Sequence, residues 1–239
     1  MSNHPQYDAV IFDLYGTLID FMPDAAYRKV NDEMARVLSV PADKLRRAWM
    51  GCIEERNAGR LGSLEQTIAH VCGLLGVCPE REQIGRAAAL RLDIIRLNLR
   101  PRRDAIRTLS IIKDAGLRLG LVSDCCVEVP MVWPETPFAD LIDAPAFSCS
   151  AQTLKPDPRI YEVARSGLGV QYGRCLYVGD GSSRELTGAR SLGMHPVLIR
   201  TEYDNFMDPF RADALEWDGP SVASLSDLVP LLGPPVSQS

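Results

Sequence analysis

The chain predicts an α/β fold: a doubly wound parallel sheet, with a smaller all-helical unit inserted near its start. Three observations carry this. Short apolar runs recur at residues 10–12, 120–122 and 176–178, and each is too short for a helix. From about residue 100 onward such runs alternate with helical patterns, as expected of a parallel sheet covered on both faces. Between residues 21 and 99, by contrast, no strand signal occurs. With 239 residues, 46% of them hydrophobic, the chain can build a sizeable core and a smaller domain beside it.

The elements follow in order. Val10-Ile11-Phe12 reads as a fully buried strand, and Asp13 stands where it ends. About four helices are expected next. Pro23 suits a first helical position, and Tyr27, Val30, Met34, Val37 and Leu38 recur at helical spacing. Pro41 opens a second run through Leu45, Trp49, Cys52 and Ile53, and Gly59 and Gly62 punctuate. Ser63 starts a third, with Leu64, Ile68, Val71, Leu74 and Leu75, and Pro79 a fourth, through Ile84, Ala88, Leu92 and Ile95 to Leu97. A helix over 102–115 then closes on Gly116 as its C′ residue. A strand over 117–122, a loop-rich stretch around Pro130, Pro134 and Pro137, and a short strand over 146–148 come next. The pattern continues with a helix over 158–168 ending at Gly169 and a strand over 175–178. A helix over 183–192 ending at Gly193 and a strand over 196–199 complete it. A last helix is expected over 224–232, and the residues from Gly233 to Ser239 read as a disordered tail.

Composition excludes several classes. A net charge of −5 argues against general nucleic-acid binding, which favours basic surfaces. No apolar run approaches the roughly 18 residues of a membrane-spanning helix. Residues Met1 to Gln6 are polar and lack an apolar signal-peptide core. A cytoplasmic protein is therefore expected, a monomer or homodimer with no nucleic-acid or membrane partner. The seven cysteines form no C-x-x-C pair and no zinc spacing. Cys72 and Cys78 read as small hydrophobes in a reducing compartment and not as a metal pair. Cys125-Cys126 lies just after Ser123, and nothing nearby in sequence lowers a thiol pKa there. His70 and His195 read as structural, and His4 falls in the polar tail at the N-terminus.

Four polar groups sit at strand ends or a helix start: Asp13, Ser123, Lys155 before Pro156, and Asp180, with Glu185 five residues further on. Ligands of open α/β sheets bind at the carboxyl ends of the strands. Each group has a bland alternative. Asp13 before Gly16 fits a turn or a helix cap, Lys155 a solvated loop, and Asp180 and Glu185 dipole compensation at a helix start. Together they supply a nucleophile, a hydroxyl donor, a cation and a metal ligand, the parts needed to move a phosphoryl group.

In these residues the chain resembles the haloacid dehalogenase (HAD) superfamily of hydrolases. Asp13-Leu14-Tyr15-Gly16-Thr17 matches its first motif, Ser123 its second, Lys155-Pro156 its third, and Gly179-Asp180 with Glu185 its fourth. The order is right, and the match spans about residues 8–200. The resemblance implies a Rossmann-like core over residues 1–20 and 100–239 and a helical cap domain over 21–99 that covers the site. It implies hydrolysis of a small phosphorylated metabolite through an aspartyl-phosphate on Asp13. Thr17, Ser123 and Lys155 would surround the phosphate. Mg²⁺, an octahedral all-oxygen binder, would be held by Asp13, Asp180 and the carbonyl of Tyr15, with Glu185 ligating directly or through water.

One position departs from the pattern. Most phosphatases of the superfamily carry a second Asp where this chain has Tyr15. A phenol donates a hydrogen bond but is a poor base, so breakdown of a phosphoenzyme is expected to be slow unless Asp20, Asp124 or Glu185 helps. Two rival readings stand beside the phosphatase. 2-Haloacid dehalogenases also carry Asp-x-Tyr-Gly-Thr-Leu and work through an aspartyl ester without Mg²⁺, but they resemble Ser-Ser-Asn at the fourth motif, where this chain keeps its acids. A non-catalytic binding protein on the same fold is the other. Substrate choice is expected to rest on the cap, where Arg46, Arg47, Trp49 and Arg56 either reach an anionic substrate or form an ordinary solvated basic face.

Overall fold

The computed structural model describes residues 7–200 and 211–233. The polar residues before Tyr7 and the expected tail after Gly233 lie outside the described residues. Strand β1 (Ala9–Phe12) is buried over its whole length because it lies inside the sheet. The chain then forms α1 (Asp24–Leu38), α2 (Ala42–Gly51), α3 (Ile53–Asn57), α4 (Leu64–Leu74), α5 (Arg81–Asn98) and α6 (Ala105–Asp114). There follow β2 (Arg118–Ser123), α7 (Glu128–Val132), β3 (Ala144–Phe147), α8 (Ser148–Ala151), α9 (Pro158–Leu168) and β4 (Cys175–Gly179). The last elements are α10 (Glu185–Ser191), β5 (His195–Ile199), α11 (Ala212–Glu216), β6 (Ser221–Val222) and a 3₁₀ helix over Leu225–Leu232. All strand pairs are parallel, in the order β3-β2-β1-β4-β5-β6.

Alternate side chains of a strand point to opposite faces, so β1 feeds two cores. Val10 and Phe12 pack with Leu109 and Ile112 of α6 and with Leu225 and Leu228 of the final 3₁₀ helix. Ala9 and Ile11 pack with Ile160 and Ala164 of α9 and Leu186 of α10. The helices between β1 and α6 hold a third apolar cluster, built on Val30, Met34, Leu38, Leu45, Trp49, Ile68 and Val71. Only the far end of α5, at Ile95, joins the sheet's own core, along with Leu99 just beyond it.

Several elements differ from expectation. The stretch around Pro130 and Pro134 is helical, not loop: α7 is followed by a 3₁₀ turn over Trp133–Glu135. Both prolines fall in a first turn, where the missing N–H has no intrahelical partner to lose. Strand β3 starts two residues early and includes Pro145, which an edge strand tolerates. The helix expected from 183 begins at Glu185, because Ser183 and Arg184 are left-handed, with φ of 53° and 52°. The last helix is 3₁₀, with Pro230 inside it denying an α-helical bond. The expected second helix is broken into α2 and α3 at Cys52, and α11 and β6 carry no recognisable periodicity.

Among the described residues no helix is long and apolar enough to cross a membrane. Cys72 is buried, Cys78 is exposed, and all seven cysteines are free. His70 and His195 are exposed, the latter edge-on to Tyr7.

Candidate active site

The strand registers assemble the site. They pair Phe12 with Leu121 on one side and with Val178 on the other. Asp13, Ser123 and Asp180 therefore emerge side by side at the carboxyl edge of the sheet. The Asp13 amide donates to the Val178 carbonyl at 2.9 Å, and the turn after it closes through Leu18 N to Leu14 O at 2.9 Å. Gly16 holds a φ of +80° in that turn, and any side chain there would overlap the Asp180 carboxylate. Lys155 arrives from the loop before α9. Its own amide is pinned by Asp124 Oδ1 at 3.0 Å.

Lys155 is the hub. Its Nζ donates to Asp13 Oδ1 and to Glu185 Oε2, each at 2.6 Å. Glu185 is spoken for on both oxygens: Tyr177 Oη also donates to Oε2 at 2.9 Å, and the Gly181 amide to Oε1 at 3.0 Å. Asp180 Oδ1 accepts from the Ser182 amide at 3.0 Å, and its Oδ2 lies 2.9 Å from Arg211 Nε. Asp13, Thr17, Ser123, Lys155, Asp180 and Glu185 are all buried.

Burial dominates the electrostatics. It lifts the Asp13 carboxyl to about 6, against the pull of Lys155 and with Asp180 adding to the rise. It lifts Glu185 well above the carboxylate range, with Asp13 adding and Lys155 opposing. Burial alone would discharge Lys155, but Asp13, Glu185 and Asp124 outweigh it and hold the ammonium charged. Asp124 is also raised by burial, with Lys155 opposing.

One oxygen of each of Asp13, Asp180 and Glu185 lies within 4.8 Å of the other two. Asp13 Oδ2, Thr17 Oγ1 and Ser123 Oγ are buried and make no hydrogen bond in the protein. A buried polar atom left unpaired costs about 1–3 kcal/mol, so three such atoms on the two segments that follow β1 and end β2 mark a place where a ligand completes the bonding. The donor set is hard oxygen with excess negative charge, which suits a divalent cation such as Mg²⁺.

Tyr15 shares none of these hydrogen bonds. Its ring stacks on Phe21 at 6.3 Å between centroids. Burial raises its phenol well above the ordinary value, and Cys125, Cys126 and Glu128 add to the rise while Arg91 opposes it. Among the stand-ins for the missing acid, Asp20 is exposed and faces Arg102 at 3.6 Å. The thiols near Ser123 are not poised to react: burial pushes Cys126 up to about 12 and Cys125 higher than its ordinary value.

The four residues weighed for substrate contact part company. Arg46 pairs with Asp32 and Arg47 with Asp43, both partly or largely exposed. Trp49 is fully buried in the helical cluster. Arg56 is buried and reaches towards Glu128 at 3.6 Å, beside Arg91, which was not foreseen. Arg211 and Asp213 were also missed. Arg211 donates to the Asp180 carbonyl, and Asp213 accepts from the Leu186 and Thr187 amides at the start of α10. Neither carries a sequence signal, since each acts across a long chain separation.

The sequence model of the haloacid dehalogenase-like hydrolases matches residues 7–193. Phosphatase MT3486 of Mycobacterium tuberculosis is 25% identical over 193 residues, covering 80% of this chain and 86% of the relative. The (S)-2-haloacid dehalogenase H-109 of Pseudomonas putida is 25% identical over 195 residues, covering 78% and 82%. In fold, the chain resembles a HAD phosphatase from Thermococcus onnurineus with a TM-score of 0.66 at 23% identity, covering 96% of this chain and all of the other.

Proposed function

This chain belongs to the haloacid dehalogenase-like hydrolases, and from that premise we propose that it is a Mg²⁺-dependent phosphatase of a small phosphorylated metabolite. The observation that carries this reading is the buried triad of Asp13, Asp180 and Glu185. Three carboxylates facing the Lys155 ammonium and the Arg211 guanidinium keep one negative charge in excess, which a cation relieves. A metal-free dehalogenase has no use for that arrangement.

In this reading Asp13 attacks phosphorus as the ester P–O bond breaks, the substrate's alkoxide takes up a proton and leaves as the alcohol, and water then attacks the aspartyl-phosphate to release phosphate and restore the carboxylate. The free Oδ2 is the attacking atom, since Oδ1 is held by Lys155. Lys155 keeps the carboxylate oriented and adds a fixed positive charge beside the incoming phosphoryl oxygens. The unpartnered hydroxyls of Thr17 and Ser123 donate to those oxygens. Mg²⁺ would be held by Asp13 and Asp180, with the Tyr15 carbonyl, and would neutralise charge on the phosphoryl group. Glu185, with both oxygens already accepting bonds, serves through water and by fixing Lys155.

Tyr15 supplies no base. Of the remaining carboxyls, Asp124 is the one we assign to proton transfer, because Asp20 is exposed and faces Arg102 and Glu185 is fully bonded. We further propose that residues 21–99 act as a cap and that residues 1–20 and 100–239 form the catalytic core. A location in the cytoplasm and a monomeric or homodimeric state belong to the same proposal.

The dehalogenase reading keeps two observations in its favour, the Asp-x-Tyr motif at Asp13 and Tyr15 and the 25% identity to a 2-haloacid dehalogenase. A panel of phosphate esters and 2-haloacids, assayed with EDTA and with added Mg²⁺, separates the two. Hydrolysis of esters that EDTA abolishes and Mg²⁺ restores is the expected result. Metal-independent halide release with no ester hydrolysis would overturn it.

A further inference from the structure

Two buried arginines lie where the helices between β1 and α6 meet the segment that leaves Ser123. Arg91 of α5 donates through Nε and Nη2 to Glu128 Oε1 at 3.2 and 3.1 Å, and Arg56 of α3 approaches the same oxygen at 3.6 Å. Both guanidinium groups lie over the Trp49 ring, at 4.2 and 5.0 Å from its centroid. Their side chains are 4% and 5% exposed. Two cations thus face one carboxylate, a surplus of one positive charge in a nearly dry place. Trp49 offsets part of this through its ring face, but a buried unbalanced charge remains costly.

The hydrogen bonding shows the same surplus. Arg56 Nε, Arg91 Nη1 and Trp49 Nε1 are buried donors with no acceptor in the protein. The missing partner is an acceptor carrying one negative charge.

This cluster adjoins the candidate active site. The phenol of Tyr15, two residues from Asp13, lies in the field of Arg91 and Glu128. From Ser123 the chain runs through Cys125, whose amide donates to Ser148 Oγ at 2.8 Å, and Cys126, whose Sγ accepts from Arg56 Nη2 at 3.0 Å. Asn57, at the end of α3, closes the contact: its carbonyl accepts from Ser148 Oγ at 2.6 Å and its Oδ1 from Cys126 Sγ at 2.9 Å. Tyr27, which feels both arginines, also lines an open groove of about 280 Å³ beside Arg46 and Arg47.

We propose that Arg56 and Arg91 bind a carboxylate at the far end of the substrate, so that the ester cleaved at Asp13 belongs to a small phosphorylated carboxylic acid. The assignment rests on the phosphatase reading and adds the substrate class to it. A carboxylate carries the single charge that balances the cluster, and its two oxygens suit donors from two guanidinium groups. A second phosphate, with close to two charges, would overshoot.

The test uses ω-phosphooxy carboxylic acids of two to five carbons, each beside its primary amide and beside the bisphosphate of the same length. For the best chain length, kcat/KM for the acid should exceed that for the amide by about tenfold to a hundredfold, the range for hydrogen bonds to a charged group. Arg91→Gln, which leaves Arg56 and Glu128 balanced, should bring the ratio close to one. If that variant does not fold, Arg56→Gln, which leaves the Arg91–Glu128 pair balanced, should do the same. Equal rates for acid and amide in the parent, or a ratio that survives loss of Arg91, would overturn the proposal, as would a preference for the bisphosphate. Should no ester be hydrolysed at all, the phosphatase reading fails on its own. Calorimetric titration of the full-length Asp13→Asn protein with the same acid and amide then still decides the subsite: tighter binding of the acid supports it, and equal binding refutes it.

Discussion

Replacing Glu128 by Gln keeps the side chain's volume and one acceptor oxygen but removes its charge. Two guanidinium groups, stacked over Trp49 and almost cut off from water, then face no anion. Breaking a buried pair from one side costs about 3–5 kcal/mol. For a chain of 239 residues the unfolding entropy is about 0.5 kcal/mol/K, so the melting temperature should fall by about 6–10 °C. The gap should also depend on pH in one direction. Burial alone would raise the Glu128 carboxyl, but Arg91 and Arg56 override it and hold it below its ordinary value. Its contribution is therefore complete above the unfolded pKa of about 4.3 and is lost as pH falls through the lower folded value. Melts followed by circular dichroism should show a constant difference between parent and variant from about pH 5.5 to 8 that closes below about pH 4. A difference of less than about 1 kcal/mol at pH 7, the level of an exposed pair, would mean that water reaches the arginines. The charge surplus at this junction would then not exist.

Three further outcomes are expected. Mg²⁺ should raise the melting temperature of the parent, by about 2.7 kcal/mol of stability at a hundredfold excess over its Kd, and Asp180→Asn should remove that response; an equal response in the variant would place the cation elsewhere. Tyr15→Asp should raise turnover of alkyl phosphates by roughly 10²-fold and shorten a phosphoenzyme burst seen in single-turnover kinetics, while Asp124→Asn should lengthen that burst; no burst in the parent and no gain in a folded Tyr15→Asp variant would show that proton transfer is already provided for. Gly16→Ala forces a methyl group against the Asp180 carboxylate at a φ of +80°, and should abolish Mg²⁺-dependent activity; full activity would mean that the turn can yield.

The parts of the molecule legible in the sequence are those fixed by local chemistry. Helix α9 was read with its observed bounds because both ends are marked, by Pro158 at its first position and by Gly169, left-handed at φ 63°, just past its last. The central strands were legible because each is buried on both faces and so reads as an unbroken apolar run. Asp13, Ser123, Lys155, Asp180 and Glu185 were legible because strand ends and a proline-fixed helix start place them. Other features depend on contacts that local patterns do not carry. Arg91 sits between Leu90 and Leu92 and looks like one more solvated helix charge; only the packing of α5 against α7 buries it. Strand β6 is two residues long, and its side-by-side place next to β5 follows from closure of the fold, not from any pattern. The prolines at 130 and 134 misled because their effect depends on whether a turn starts or continues there.

The placement of β1 also orders events during synthesis. Its partners on the two sides, Arg118–Ser123 and Cys175–Gly179, leave the ribosome long after it does. Until then Ala9–Phe12 is an apolar strand with no neighbour, the kind of edge that recruits other chains. The helices that follow it fill their own apolar cluster from residues 30–88 and can consolidate first. They do so with Arg91 still lacking its carboxylate, which comes 37 residues later. The nascent chain thus carries two sticky features at once, a bare strand and an uncovered cationic face. The cationic face is covered, and one side of the strand paired, when β2 docks and brings Glu128 in behind it, while the other side waits for β4, so a stall in translation between residues 98 and 128 should leave the chain most in need of a chaperone.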